Sequence, residues 1–137
     1  MQPLLLDTCA ALWLAADAPM AERAVQAISS ATQAGVAVQI SPVTAWEIGL
    51  MARKGRFRSS LSPQRWFQRL AGLPGLAVCG LDADILMASS FLPGELHGDP
   101  ADRMMAATAR ELGFTLVTRD QALLDYAAAG HLSALAC

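Results

Sequence analysis

The sequence predicts an α/β fold in which helices cover both faces of a mostly parallel central sheet. Two observations support this prediction. Short apolar segments alternate with longer amphipathic segments along the chain, and most of the longer segments begin at Ser, Asp or Pro residues that suit helix starts. Because the sequence contains no linker, repeat or low-complexity tract, residues 1–137 are expected to form one domain, an α/β/α sandwich.

In the first half of the chain, serine, proline and glycine residues mark the predicted boundaries. Residues 2–6 are an apolar run that is too short for a helix, so they are predicted as a buried strand. Gly35 suits a helix C-cap, and Ser41 and Ser62 are N-cap residues that precede a proline. The predicted elements are a strand at 2–6, helices at 8–15 and 19–35, a strand at 36–40, and helices at 42–54 and from 63 onward.

The second half of the chain continues this alternation. Asp82 and Asp84 suit the first turn of a helix, whereas Asp99 begins a longer helix that Gly113 ends. The predicted elements are a strand at 76–79, helices at 81–91 and 100–112, a strand at 114–117, a helix at 120–129 and a candidate edge strand at 131–136. Strands separated by helices in this way are typical of a parallel sheet.

The composition excludes several classes of protein. Hydrophobic residues make up 54% of the 137 residues and charged residues 16%, which excludes a disordered chain. Ten Lys and Arg against twelve Asp and Glu give a formal charge of −2. The overall charge therefore does not indicate a nucleic acid or a membrane surface as partner.

The cysteines and the apolar amino-terminal segment bear on localisation. Cys9, Cys79 and Cys137 are an odd number without metal-type spacing, which favours a reducing compartment, so the cytoplasm is the expected location. The amino-terminal segment lacks the basic residues of a signal peptide and carries Asp7. No apolar run reaches the ~18 residues that a membrane helix needs, so no membrane partner is expected.

Four acids occur where a parallel sheet places ligand-binding residues. Asp7 ends the first predicted strand, and Asp120 follows the fourth. Glu47 lies in an apolar helix after the second strand, and Asp102 lies in the first turn of a helix rich in Met and Ala. Ligands of open parallel sheets bind outside the carboxyl ends of the strands, so we expect these carboxylates to converge there.

Converging carboxylates repel one another, and a divalent cation relieves that repulsion. Carboxylate oxygens suit Mg²⁺ or Mn²⁺, whereas the sequence has no Cys and His grouping that suits zinc. Such an ion activates a bound water and stabilises the charge that develops when a phosphodiester bond is broken. The acids therefore predict metal-dependent phosphodiester hydrolysis.

Each acid also has a structural alternative when it is considered alone. Asp99 precedes Pro100 and is best interpreted as the N-cap of its helix. Thr118 and Asp120 can cap the last helix, and Asp7 can be a turn residue at the end of a strand. The joint placement of the acids favours a site more strongly than any one of them does.

Other residues near the acids also have simple interpretations. Glu47 can form an ion pair with Arg53 or Arg103. Cys9 is expected to be a small buried residue, because no supporting histidine pattern makes it a nucleophile. His97 is expected to be an ordinary loop residue.

A basic stretch follows Glu47. Six of the ten cations and no acid lie between positions 53 and 69; they are Arg53, Lys54, Arg56, Arg58, Arg65 and Arg69. Arg53, Lys54, Arg56 and Arg58 are candidate RNA-binding residues at the border of the acidic site, although an acidic protein partner is an open alternative. Among the aromatic residues nearby, Phe57 can stack on a base, whereas Trp66 and Phe67 are favoured as core residues.

Four short motifs carry the candidate residues. They are LLLDT with Asp7, SPVTAWEI with Glu47, HGDPADRMMAATA with Asp102, and LVTRD with Thr118 and Asp120. In this order, over essentially the whole chain, they resemble the PIN-domain endoribonucleases of the VapC toxin kind. The resemblance implies that the four acids are metal ligands supported by the Thr118 hydroxyl, and leaves open whether Asp99 or Asp120 contacts the metal directly.

The resemblance also implies a biological setting. Proteins of this kind cleave RNA with Mg²⁺ or Mn²⁺, are held inactive by a small cognate antitoxin protein, and form homodimers. The alternative is a catalytically inactive PIN-like module that binds RNA or a protein. Such a module would tolerate loss of the acids, so the presence of all four argues against it.

Overall fold

The structure, a computed structural model, describes residues 1–137 and contains five strands and seven helices in the predicted alternation. In chain order, the elements are β1 Leu4–Leu6, α1 Thr8–Ala15, α2 Glu22–Gln33, β2 Val38–Ile40, α3 Pro42–Arg53, α4 Pro63–Ala71, β3 Leu76–Val78, α5 Ala83–Ala88, α6 Pro100–Leu112, β4 Thr115–Thr118, α7 Gln121–Ala128 and β5 Ala134–Ala136. None of these helices has both the length and the hydropathy that crossing a lipid bilayer requires.

The sheet has the strand order β3-β2-β1-β4-β5, and each neighbouring pair is parallel. The predicted mostly parallel sheet is confirmed and is parallel throughout. The chain runs from β1 outward to β2 and β3, and then returns to place β4 on the other side of β1. The strand order therefore reverses between β1 and β4, which is the place where parallel sheets bind ligands.

The alternation of side chains along β1 divides the core into two layers. Leu4 and Leu6 pack in the layer that holds buried residues of α1, α2 and α4, whereas Leu5 packs with residues of α3, α6 and α7. Leu5 and Leu6 are fully buried. Helices thus cover both faces of the sheet, and the predicted α/β/α sandwich is confirmed.

The helices α2 and α5 are both shorter than predicted, and local hydrogen bonds define the ends of α5. Helix α2 begins at Glu22, three residues after Pro19, and no side chain caps its start. Helix α5 begins after Asp82, which accepts a hydrogen bond from the Ile85 backbone N–H, and it stops at residue 88 instead of continuing to residue 91. A turn follows the carboxyl end of α5, and there the Ser89 hydroxyl donates a hydrogen bond to the Leu86 carbonyl oxygen. The candidate edge strand is present as β5.

Candidate active site

The carboxyl ends of the strands lie at a cavity of about 290 Å³. Its lining includes all four predicted acids, which come from different elements: Asp7 after β1, Glu47 on α3, Asp102 on α6 and Asp120 after β4. The remaining lining residues are Thr8, Cys9, Trp13, Met105 and Arg119. The fold therefore brings together side chains that lie up to 113 positions apart in the sequence.

Asp7 is fixed by its position as the N-cap of α1. Its Oδ1 atom accepts a hydrogen bond of 2.7 Å from the Ala10 backbone N–H, and its Oδ2 atom accepts one of 2.5 Å from the Thr118 hydroxyl. Only 8% of its surface is exposed. Burial raises the pKa of the Asp7 carboxyl, and the nearby charge of Asp120 adds to the increase, although the two hydrogen bonds oppose it.

Thr118 links two of the acids. Its side chain is fully buried at the end of β4, where its hydroxyl donates to Asp7 and accepts a hydrogen bond of 3.0 Å from the Asp120 backbone N–H. Asp120 is itself the N-cap of α7, since its Oδ2 atom accepts the Leu123 N–H at 2.9 Å. The predicted capping role of Asp120 and its place in the cavity are therefore compatible.

Glu47 lies on the face of α3 that turns toward α1. The Thr8 hydroxyl donates a hydrogen bond to its Oε1 atom, and Thr8 also contacts the Thr44 hydroxyl at 3.2 Å. Burial raises the pKa of the Glu47 carboxyl, and the charges of Asp99 and Asp7 raise it further.

The sequence allowed an ion pair between Glu47 and a nearby arginine, and the structure shows none. Arg103 instead donates to the carbonyl oxygens of Ser89 and Leu96, at 2.9 and 2.8 Å, and so fixes the segment between α5 and α6. Arg53 is exposed at the end of α3. Glu47 is therefore a half-buried carboxylate whose only close support is a hydroxyl group.

Asp102 also has a raised pKa. Burial raises its pKa to about 6, with further contributions from the charges of Asp120 and Asp99, while His97 lowers it. Asp99 acts as the predicted N-cap of α6 and accepts the Asp102 backbone N–H at 3.0 Å. Asp99 does not line the cavity, so the geometry favours Asp102 as the third acid of the site.

His97 lies closer to the acids than its loop position suggests. Its Nε2 atom is 3.2 Å from the Asp102 Oδ2 atom, and its Nδ1 atom accepts the Asp99 backbone N–H at 3.1 Å. Ligand atoms of His97, Asp102 and Asp120 all lie within 4.8 Å of one another. The H-x-D-P-x-D spacing from His97 to Asp102 was the sequence signal for this contact, because it places the histidine beside the first turn of α6.

Arg119 and Trp13 also line the cavity and contact each other. The guanidinium carbon of Arg119 lies 3.6 Å from the centroid of a Trp13 ring, and the Arg119 Nε atom donates to the main-chain oxygen of Cys137 at 3.0 Å. Sequence reasoning missed Trp13, and it missed Thr8, which directly follows Asp7. The expectation that Cys9 is buried was wrong, since Cys9 is exposed at the cavity.

The four candidate RNA-binding residues lie outside the cavity. Arg53, Lys54, Arg56 and Arg58 are exposed at and after the carboxyl end of α3. Arg56 and Arg58 line a separate groove with residues of α1, the helix whose amino end borders the acids. Leu12, Ala15 and Ala16 line that groove, so Arg56 and Arg58 lie beside the carboxyl-terminal half of α1, whereas the acids lie near its amino end.

Trp66 and Phe67 pack against the core, as the sequence favoured. Phe57 packs edge-on against Trp66, with ring centroids 5.5 Å apart. None of the three lines the acidic cavity.

The donor set fits a hard divalent cation. Four carboxylates line one cavity, and no lysine or arginine nitrogen lies within 4.0 Å of any of their oxygens; the imidazole of His97, 3.2 Å from Asp102, is the one basic side chain that close. Oxygen ligands of this kind suit Mg²⁺ or Mn²⁺, and no cluster of cysteines is present to favour a softer ion.

Comparisons with known proteins agree with this architecture. A family model described as the PIN domain matches residues 4–129. The chain is 30% identical to Ribonuclease VapC22 of Mycobacterium tuberculosis over 92% of its own length and 93% of the relative's length.

Solved structures show the same fold at low sequence identity. A chain in the VapBC2 complex of Rickettsia felis, bound to a DNA fragment from its promoter, has a TM-score of 0.68 at 16% identity, and the match covers 97% of each chain. A chain of FitAcB from Neisseria gonorrhoeae has a TM-score of 0.55 at 19% identity over 96% of each chain. The resemblance found in the sequence motifs is thus confirmed, and the chain belongs to the PIN domain family as a VapC-like member.

Proposed function

We propose that this chain is a single-domain endoribonuclease, spanning residues 1–137, that hydrolyses RNA phosphodiester bonds with Mg²⁺ or Mn²⁺. The observation that carries the proposal is the convergence of Asp7, Glu47, Asp102 and Asp120 on one cavity at the carboxyl ends of the strands. The identity to a VapC ribonuclease supports the same reaction. An inactive RNA-binding or protein-binding module is the second candidate, but binding alone does not need half-buried acids that repel one another.

In this proposal, the four carboxylates would hold the divalent ion, and Thr118 would support them. A divalent cation in such a site lowers the pKa of a water molecule and stabilises negative charge on phosphoryl oxygens. The chain's own residues determine the geometry. Thr118 and the Ala10 N–H fix both oxygens of Asp7, while the Thr8 hydroxyl holds one oxygen of Glu47.

We propose that the ribonuclease is the toxin of a toxin–antitoxin pair and acts in the cytoplasm. The relatives support this role, because they include a VapC ribonuclease and chains from VapBC and FitAB complexes. The partner would be a small cognate antitoxin protein that blocks the cavity.

We also propose that the protein is a homodimer. Helix α5 and the turn after it expose three large apolar side chains, Leu86, Met87 and Phe91, and Phe91 is 85% exposed. Adjacent apolar side chains of this size are uncommon on monomeric proteins and favour a contact with a second copy. The homodimer expected from the family resemblance would use this surface.

Neutralising one acid should abolish cleavage and leave the fold intact. Asp7→Asn keeps an oxygen that can accept the Ala10 N–H, and Glu47→Gln keeps one for the Thr8 hydroxyl, so both variants should unfold within a few degrees of the wild type. Each loses a metal ligand, so cleavage of RNA in Mn²⁺ should fall at least 100-fold. Gel electrophoresis of an end-labelled RNA measures the rate, and induced expression in bacteria should arrest growth for the wild type only.

Asp82→Asn is the matched control, because Asp82 is also an N-cap aspartate but lies outside the cavity. It should cleave RNA like the wild type. Equal cleavage by Asp7→Asn, or by the wild type in excess chelator, would contradict the metal-dependent mechanism.

The raised pKa of Asp102 predicts how stability depends on pH. In the unfolded chain the Asp102 carboxyl ionises near its usual pKa of 3.8, and in the folded protein near 6. The folded protein therefore binds this proton more tightly, and the stabilisation, up to about 3 kcal/mol, is full below pH 4 and is lost as pH rises through 6. Asp102→Asn lacks this ionisation.

The melting temperature of Asp102→Asn minus that of the metal-free wild type should therefore increase from pH 4 to pH 7. Thermal melts in chelator at several pH values measure it. A constant difference across this range would show that the Asp102 pKa is not raised.

The exposed basic residues after α3 should contribute to RNA binding. Arg56→Glu with Arg58→Glu removes two candidate phosphate contacts, so the slope of log Kd against log salt should fall by about 1.4. Fluorescence anisotropy with a labelled RNA, in the Asp7→Asn background to prevent cleavage, measures the slope. A slope equal to that of the unmodified background would rule these residues out as RNA contacts.

Placing a charge in the exposed apolar surface should separate the homodimer. Phe91→Asp replaces an apolar ring by a carboxylate, which is costly to bury against a second copy of the chain. Sedimentation velocity of this variant at micromolar concentration should therefore show a monomer. Val25→Asp makes the same change at another exposed apolar position, on α2, and should leave the dimer intact. A wild type that sediments as a monomer would refute the proposal.

A further inference from the structure

Arg119 lies among the acids of the cavity but pairs with none of them. No oxygen of an Asp or Glu side chain lies within 4.0 Å of its guanidinium nitrogen atoms, although Asp120 is its neighbour in sequence and Asp7 lines the same cavity. Two contacts hold the side chain instead: the Trp13 ring, whose centroid is 3.6 Å from the guanidinium carbon, and the main-chain oxygen of Cys137, the last residue of the sequence, which accepts a hydrogen bond from Nε.

These contacts leave part of the arginine's binding capacity unused. A guanidinium group has five N–H donors in a planar fork, and Nε supplies only one of them. Nε makes the one hydrogen bond of the Arg119 side chain within the protein. The two terminal nitrogen atoms of the guanidinium group donate none. Arg119 therefore has two terminal nitrogen atoms free to donate hydrogen bonds, at a cavity whose other charged residues are acids.

We propose that Arg119, held against Trp13, binds a non-bridging oxygen pair of an RNA phosphate at or next to the bond that is cleaved. The inference rests on the proposed ribonuclease function and names a substrate-binding residue for it. The planar fork of an arginine matches two phosphate oxygens, which a lysine cannot do. In this arrangement Trp13 is a positioning residue for the guanidinium group.

The stacking contact explains why the arginine would be available to substrate. Stacking on an aromatic ring and donating from Nε restrict the side chain before RNA arrives, so less conformational freedom is lost on binding. The same contacts keep the guanidinium out of direct pairing with the acids, which leaves the carboxylates for a cation. The cavity therefore combines carboxylates that can hold a cation with a cationic donor that can hold a phosphate group.

The experiment measures binding of a fluorescein-labelled single-stranded RNA of mixed sequence in the Asp7→Asn background, over a range of KCl concentrations. Arg119→Ala should weaken binding about tenfold and reduce the salt slope by about 0.7, the value for one phosphate contact on a single strand. Arg119→Lys should keep the slope but lose part of the affinity, because the charge remains and the fork does not. With active protein, Arg119→Lys should mainly raise KM.

The control and the conservative variant separate a direct contact from a general effect. Arg23→Ala removes the same charge from an exposed position on α2, outside the cavity, and should leave the slope and the affinity unchanged. Trp13→Ala should weaken RNA binding, and Trp13→Phe should restore most of it because an aromatic face remains. If Trp13→Ala does not fold, the Arg119 variants still decide the question, since Arg119 is exposed.

Distinct outcomes overturn the inference and the proposed function. If Arg119→Ala binds RNA with the affinity and slope of Arg23→Ala, the phosphate contact is wrong while the ribonuclease function stands. An unchanged RNA slope together with weakened binding of a poly-glutamate peptide would show that Arg119 serves an acidic protein segment, which also overturns the inference. If the background protein binds no RNA at low salt and the wild type cleaves none, the proposed function itself fails.

Discussion

The repulsion among four carboxylates at one edge of the sheet is the constraint on which the site depends. Burial and mutual charge both disfavour the ionised forms, and the pKa values of Asp7, Glu47 and Asp102 are raised as a result. No lysine or arginine relieves this repulsion by direct pairing. The fold therefore holds the acids in an arrangement that is unfavourable by itself and becomes favourable when a cation of high charge is bound.

Helix-capping hydrogen bonds keep two of these acids in place. Asp7 and Asp120 each cap a helix through one oxygen, so moving either side chain would also expose a helix start. Thr118 connects the two acids through its hydroxyl, and it is fully buried between neighbouring strands. Structural and functional interpretations of these residues are therefore not alternatives, because each caps a helix through one oxygen and still lines the cavity.

The sequence was sufficient to predict the fold class, the order of the elements and the acids that line the cavity. Each of these depends on local signals, such as an apolar run that ends at Asp7 or a proline after Asp99, which caps α6 as expected. The contacts between distant elements were not predictable in this way. Thr8 supports Glu47 across 39 positions, and nothing in the local pattern of either residue indicates the partner.

The two arginines that directly neighbour an acid of the cavity in the sequence, Arg103 and Arg119, make different contacts in the structure. Arg103 follows Asp102 on a helix, where consecutive side chains point about 100° apart, so it turns away and binds carbonyl oxygens before α6. Arg119 precedes Asp120 in the turn after β4, where Trp13 of α1 and the main-chain oxygen of Cys137 contact it at the cavity. The difference lies in the element that carries each residue, which explains why one arginine stabilises a loop and the other faces the acids.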